Sequence, residues 1–159
     1  GAGRVIAIDR VASKLDLAKT FGATDVINAS DGDPVEQVME MTGGGVHYAF
    51  EAIGLKRTAE QAFEMLRPGG TATLIGMIPY GEKIELHGGD FLMEKKVIGC
   101  SMGSNRFRVD MPRYVDFYLA GKLKLDDLLS SHIKLEDVNE ALQALKTGAV
   151  ARNVIMFDS

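Results

Sequence analysis

Asp9 ends the apolar, β-branched run Arg4-Val5-Ile6-Ala7-Ile8, and a helical pattern begins at about Ser13. A carboxylate placed there, at the end of a strand and before a helix, can accept hydrogen bonds from both hydroxyls of an adenosine ribose and would repel a 2′-phosphate. On that reading the run is the second strand of a dinucleotide-binding fold, and Asp9 argues for NAD over NADP. An Asp before a helix is also common as a simple surface residue, and these residues alone leave that reading open. An arginine in the place of Arg10 can bind a 2′-phosphate in such folds; with Asp9 present it is expected to lie over the adenine. A dinucleotide unit normally carries a glycine-rich phosphate loop about 20 residues before its acid. Here three residues precede the strand and the first of them is not Met. The expectation is therefore the C-terminal part of a larger nicotinamide-dependent enzyme.

The other chemistry-bearing residues are sparse. His47, His87 and His132 show no metal-ligand spacing, and each reads as structural or solvent-facing. Cys100, the single cysteine, sits in the apolar run Val97-Ile98-Gly99-Cys100-Ser101 and reads as a small buried hydrophobe rather than a metal ligand. Arg106 and Arg108 fall in a loop near the presumed crevice, where they can face a phosphate or an acidic substrate group. Arg152 precedes the last apolar run and, on its own, reads as a surface arginine.

Short apolar runs alternate with helical patterns, which predicts a parallel sheet with helices on its faces. After the first strand, Leu15, Ala18 and Phe21 share one face of a helix over 14–21 that Gly22 ends. Asp25–Asn28 reads as a strand, and Pro34 suits the first turn of a helix running to about Met41. Val46–Phe50 is the next strand, closing at Glu51-Ala52-Ile53-Gly54. Ala59, Ala62, Phe63 and Leu66 then recur at i, i+3, i+4 and i+7, a buried helical stripe stopped by Pro68-Gly69-Gly70. Thr71–Ile75 is a strand that leaves through Gly76-Met77-Ile78-Pro79, and Val97–Ser101 is the last strand of the sheet. From about Met102 helices dominate: Met111–Leu119, ending at Gly121, and a second helix marked by Val138, Ala141, Leu142 and Leu145 and closed by Lys146 and Gly148. Val154–Phe157 reads as a terminal strand. The fold class is α/β, a Rossmann-like doubly wound parallel sheet lacking its first strand, followed by a mainly helical C-terminal segment. The expected division is 1–101 and 102–159.

Composition narrows the function classes. The chain has 159 residues, 46% of them hydrophobic and 25% charged, which is ordinary for a globular protein with a real core. Its net charge is −4, without a block of like charges, so no nucleic-acid partner is expected. The apolar runs fall far short of the roughly 20 residues that a membrane helix needs, and no signal peptide is visible. One cysteine makes no disulfide framework, which fits a cytoplasmic protein.

At this point the residues resemble a family. Ala18-Lys19-Thr20-Phe21-Gly22-Ala23-Thr24-Asp25-Val26-Ile27-Asn28 is similar to the A-x-x-x-G-A-T-x-x-[IV]-N stretch of the medium-chain, zinc-dependent alcohol dehydrogenases. So is Gly44-Gly45-Val46-His47-Tyr48-Ala49-Phe50-Glu51-Ala52-Ile53-Gly54. Arg152-Asn153-Val154-Ile155-Met156-Phe157 matches the family's R-x-[VI]-[IL]-x-F close. The likeness runs over nearly the whole chain, nearest to the class I, class III (glutathione-dependent formaldehyde dehydrogenase) and bacterial branches.

The resemblance implies a nucleotide domain up to about Ser101 and, after it, the C-terminal part of the catalytic domain. It implies that Asp9 and Lys14 hold the adenosine ribose and that Ile53 packs on adenine beside Gly54. Without the family, Lys14 reads as a solvated helix lysine and Ile53 as a core isoleucine. It implies further that Ile75, Gly76 and Met77 line the nicotinamide, that Ser101 and Met102 belong to the other carboxamide-binding segment, and that Arg152 reaches the pyrophosphate. Leu55 stands where the family's liver form has an Arg, so Lys56 or Arg57 is the substitute contact.

The family's catalytic and structural zinc ligands have no counterpart here, so no catalytic residue and no metal ligand is assigned to this chain. The implied activity is NAD-dependent, zinc-dependent alcohol dehydrogenation, with an alcohol or aldehyde substrate, zinc held by the parent protein, and this chain inactive alone. Two alternatives stand beside it: a non-catalytic nucleotide-binding or interaction module, and a zinc-free, NADPH-preferring quinone reductase, against which Asp9 argues. Unpaired strand edges, and the place of Val97–Ser101 at the family's subunit interface, imply a homo-oligomer.

Overall fold

A computed structural model describes residues 1–148 and 150–157. The chain forms two compact units, Gly1–Asn105 and Arg106–Ser159.

The first unit runs β1 (Ile6–Asp9), α1 (Ala12–Thr20), β2 (Asp25–Asn28), α2 (Pro34–Thr42), β3 (Val46–Glu51), α3 (Lys56–Glu64), β4 (Leu66–Leu74) and β5 (Lys96–Gly99). All its strand pairs are parallel, as alternating strands and helices require. They form two sheets: β1 pairs with β2, and β3-β4-β5 form a second ladder. Among the described residues no ladder joins β1 to β3. What links them is a cluster in which Ile27, Val38 and Met65 are buried and Ile6, Ile8 and Val46 pack against them. Helix α2 supplies Val38 to that cluster. It begins where its residues dictate: the Asp33 carboxylate accepts the Val35 N–H at 2.7 Å, Pro34 fills the first helical position, and Gly43 closes the helix in the left-handed conformation (φ 66°).

Helix α3 covers one face of the β3-β4-β5 sheet. Register puts Ala49, Ala72 and Val97 side by side, and they pack with Phe63, Ala62 and Leu66. Burying Phe63 contributes about 1.5–3 kcal/mol. On the other face of the same register, Tyr48 and Phe50 are 68% exposed and Ile98 is 49% exposed, so only one face of this sheet is covered by helices among the described residues.

Several expected boundaries shift. Leu66 is buried as predicted, yet it already belongs to β4: the Met65 carbonyl accepts the Val46 N–H at 2.9 Å, so sheet pairing overrides the helical period. Phe21 is the cap of α1 and is exposed, leaving Leu15 as the buried residue of that helix. Cys100 lies past the end of β5 and is half-buried, within 3.7 Å of the Ser104 hydroxyl, and so is not the strand-core residue expected.

An ion pair staples the start of β1 to the start of β2. Arg4 donates from Nε to Asp25 Oδ2 at 2.7 Å, from Nη2 to Oδ1 at 2.8 Å, and from Nη1 to the Met41 carbonyl. Arg4, and then the Thr24 hydroxyl, lower the Asp25 pKa to about 2. A carboxyl lowered on folding stabilises the protein above its unfolded value, near 3.8, and that stability is lost as pH falls toward 2. Acid titrations followed by circular dichroism are expected to show weaker pH dependence between these limits in Asp25→Asn than in the unaltered chain. Parallel curves would contradict this role.

The second unit contains α4 (Phe107–Leu119), β6 (Ser131–Ile133), α5 (Val138–Thr147) and β7 (Asn153–Ile155). Helix α4 begins four residues before the expected Met111, because the Asp110 carboxylate accepts the Arg106 N–H at 2.8 Å and caps an earlier start; Pro112 is interior. Helix α5 and its left-handed Gly148 (φ 73°) follow the sequence pattern. Strand β6 is not legible in the sequence, since three residues with two polar side chains carry little signal. It pairs in parallel with β7, which ends at Ile155 rather than Phe157 because its partner is three residues long.

Candidate functional site

The site residues expected in the first unit fall where its strands end. Asp9 is the last residue of β1 and Arg10 follows it, exposed. One Asp9 oxygen, Oδ1, accepts the Val11 N–H at 2.9 Å and holds the turn into α1. That is the cap reading of Asp9, and it leaves the second oxygen available. Lys14 is exposed on the first turn of α1.

The ends of β3 and β4 meet in a close backbone crossing. A Cβ built on Gly54 would lie 2.6 Å from the Met77 carbonyl oxygen. One built on Gly76 would strike the Gly54 nitrogen and lie 2.6 Å from Glu51 Oε2. Only glycines fit this crossing. It brings Gly54, Gly76 and Met77 together, with Ile53 and Ile75 exposed beside them at 61% and 47%. Past β5, Ser101 and Met102 are exposed, and Met102, Gly103 and Ser104 all adopt positive φ (50°, 74° and 49°). For Met and Ser that conformation costs energy and is often found at functional loops.

Glu51 is a site residue that its sequence context does not single out, although it ends an apolar strand as Asp9 does. It is 3% exposed. Its Oε1 accepts from the Ile53 N–H, the Gly54 N–H and the Thr58 hydroxyl, each at 2.8 Å. Its main-chain oxygen accepts the Ile75 and Gly76 N–H groups. One residue thus ties together the ends of β3 and β4 and the start of α3.

Among the substitutes for the family's arginine, Lys56 is turned to carboxylates, Glu85 at 3.3 Å and Glu60 at 3.7 Å, while Arg57 is exposed. Arg106, Arg108 and Arg152 belong to the second unit. Arg106 lies 3.5 Å from Asp110, and Arg108 stacks over the Phe107 ring. The backbone at Arg152 is held by Ser130, whose hydroxyl accepts the Arg152 N–H and whose N–H donates to the Arg152 carbonyl. His47 approaches Arg67 at 3.2 Å and His87 approaches Asp90 at 3.3 Å. Among the described residues no group of three His, Cys, Asp or Glu could hold a metal ion, and no helix is long and apolar enough to cross a membrane.

Residues 1–120 match the zinc-binding dehydrogenase family. The chain belongs to that family. Geraniol dehydrogenase of Carpoglyphus lactis is 36% identical over 157 residues, 98% of this chain and 42% of that relative. The crystal structure of benzyl alcohol dehydrogenase from Acinetobacter calcoaceticus superposes with a TM-score of 0.95 at 31% identity, covering 99% of this chain and 44% of that one. A zinc-binding dehydrogenase from Sinorhizobium meliloti 1021 bound to NADP superposes with a TM-score of 0.82 at 31% identity, covering 89% and 42%. This member of the family thus spans a little over 40% of the length of the relatives it matches. The likeness bears out the Rossmann-like, parallel α/β expectation.

Proposed function

We propose that this chain is the coenzyme-facing part of an NAD-dependent, zinc-dependent alcohol dehydrogenase. Asp9 carries the reading. Its cap to Val11 occupies one oxygen, and the other, at the end of a parallel strand, remains to accept ribose hydroxyls and repel a 2′-phosphate. The glycine-only crossing of Gly54 and Gly76 supports it, because strand ends without side chains let a dinucleotide approach the backbone.

In this account Asp9 and Lys14 hold the adenosine ribose. Arg10 and Ile53 flank the adenine. Arg57 takes the phosphate contact for which the family's liver form uses an arginine, and Arg152 reaches the pyrophosphate. The segments Ile75-Gly76-Met77 and Ser101-Met102 hold the nicotinamide and its carboxamide through backbone groups. Bound NAD supplies the hydride acceptor, and the chain's residues bind and orient it. The residues at hand do not fit a zinc site, so no step is assigned to a metal here. The substrate is a small alcohol or its aldehyde, the activity named for geraniol dehydrogenase and benzyl alcohol dehydrogenase. Among the described residues strand β5 has one ladder neighbour, and its other edge is the proposed contact between copies in a cytoplasmic homo-oligomer.

A second reading, NADP in place of NAD, has one observation behind it, the NADP-bound structural neighbour; Arg10 would then meet the 2′-phosphate. The test is alcohol-dependent formation of reduced dinucleotide. The protein expressed from the complete reading frame that encodes this chain is expected to reduce NAD with an alcohol, and residues 1–159 alone are expected not to. Turnover by residues 1–159 alone, or a complete protein that reduces only NADP, would contradict the proposal.

A further inference from the structure

Glu51 Oε2 is a buried carboxylate oxygen with no hydrogen-bond partner among the described residues. Such an oxygen is uncommon, because nothing replaces the water it has lost. The Ile53 and Gly54 N–H groups and the Thr58 hydroxyl bond to the other side-chain oxygen, and the Ile75 and Gly76 N–H groups bond to the main-chain carbonyl. Oε2 faces Gly76, close enough that a Cβ there would sit 2.6 Å away. The carboxyl is nonetheless held ionised. Burial pushes its pKa up, but the Gly54 N–H, the Thr58 hydroxyl and the Ile53 and Leu55 N–H groups together outweigh burial and leave it below the usual value. A negative charge is therefore fixed just beneath the end of β4, without solvent to screen it and without a cation within the ion-pair limit to neutralise it among the described residues.

We propose that Glu51 is a specificity-determining residue that biases this crevice toward the oxidised form of a nicotinamide dinucleotide. This rests on the proposed function, which sets Gly76 and Met77 against the nicotinamide. The oxidised ring carries a positive charge and the reduced ring carries none, so a buried carboxylate under Gly76 attracts only the oxidised form. At the effective dielectric of a protein interior, unit charges separated by roughly 10 Å change an equilibrium constant by about tenfold. Hydrogen bonds alone would act on both forms alike; the charge separates them.

Glu51→Gln discriminates the two. Its amide oxygen can still serve the three donors of Oε1, so the collar persists while the charge goes. Dissociation constants for the reduced dinucleotide, by its fluorescence, and for the oxidised dinucleotide, by displacement, are measured on the complete protein near pH 7, with NAD or NADP as binding dictates. The variant is expected to lose oxidised-form affinity by about tenfold while reduced-form affinity stays within about twofold. Equal losses for both forms would overturn the proposal and leave the dinucleotide reading standing. An unaltered protein that binds neither form would overturn that reading and this proposal with it. Should Glu51→Gln not fold, Glu51→Asp decides: it keeps the charge, so both affinities fall together and their ratio holds within about threefold. A ratio shifted about tenfold in Glu51→Asp would overturn the proposal.

Discussion

Gly76→Ala is expected to destabilise the protein by about 3 kcal/mol or more and to abolish dinucleotide binding. The added methyl would strike the Gly54 backbone nitrogen and approach Glu51 Oε2. Neither atom is the tip of a flexible side chain. Gly54 is held in place by its own N–H bond to Glu51, and the Glu51 carboxylate is held by three donors. The strain therefore has no soft outlet, and β4 must pull away from β3 at the point where their ends cross. Gly99, in the neighbouring β5, is the control: nothing lies within 4 Å of the Cβ that alanine would add there. Gly99→Ala is expected to change stability by less than about 1 kcal/mol. Urea unfolding of both variants checks the contrast, and similar midpoints would show that the crossing is not close-packed.

Asp9→Asn is expected to lower NAD affinity by about tenfold to a hundredfold, the range for hydrogen bonds to a charged group, and to leave NADP affinity unchanged or improved. The substitution is chosen for what it keeps. Asparagine retains Oδ1, which accepts the Val11 N–H at 2.9 Å, so the turn into α1 survives and thermal stability should move by no more than about 0.5 kcal/mol. What it removes is the charge and the second acceptor oxygen, the groups assigned to the ribose diol. Titrating both dinucleotides into the complete protein measures the effect. If NAD and NADP affinities fall together, Asp9 serves the turn only and the preference for NAD lies elsewhere.

The parts of the fold that were legible in the sequence are those where one residue type performs one local task. Asp33 and Pro34 start α2, and Gly148 ends α5 in the left-handed conformation. Ala59, Ala62 and Phe63 are all buried, as their spacing requires. What the sequence hid depends on partners distant along the chain. Leu66 continues a helical period, yet it is claimed by β3 through Val46. Strand β6 exists because β7 pairs with it, and α4 starts early because Asp110 reaches back to Arg106.

The candidate site divides in the same way. Asp9 announces itself as an acid at a strand end. The Gly54–Gly76 crossing joins residues 22 positions apart, and its tightness is visible only in space. Glu51 carries the same strand-end signal as Asp9. Nothing local distinguishes a carboxylate that faces a ligand from one folded back onto Ile53, Gly54 and Thr58, which is why its role emerged from its partners.

Whether this chain is the coenzyme-facing part of a zinc-dependent alcohol dehydrogenase is decided by the DNA sequence immediately upstream of the codon for Gly1. The expected result is an open frame that runs into a strand, a glycine-rich turn and a helix, and that carries the Cys and His ligands of a catalytic zinc. A start signal directly before Gly1, with no such frame upstream, would contradict the zinc enzyme reading and leave this chain a nucleotide-binding or interaction module.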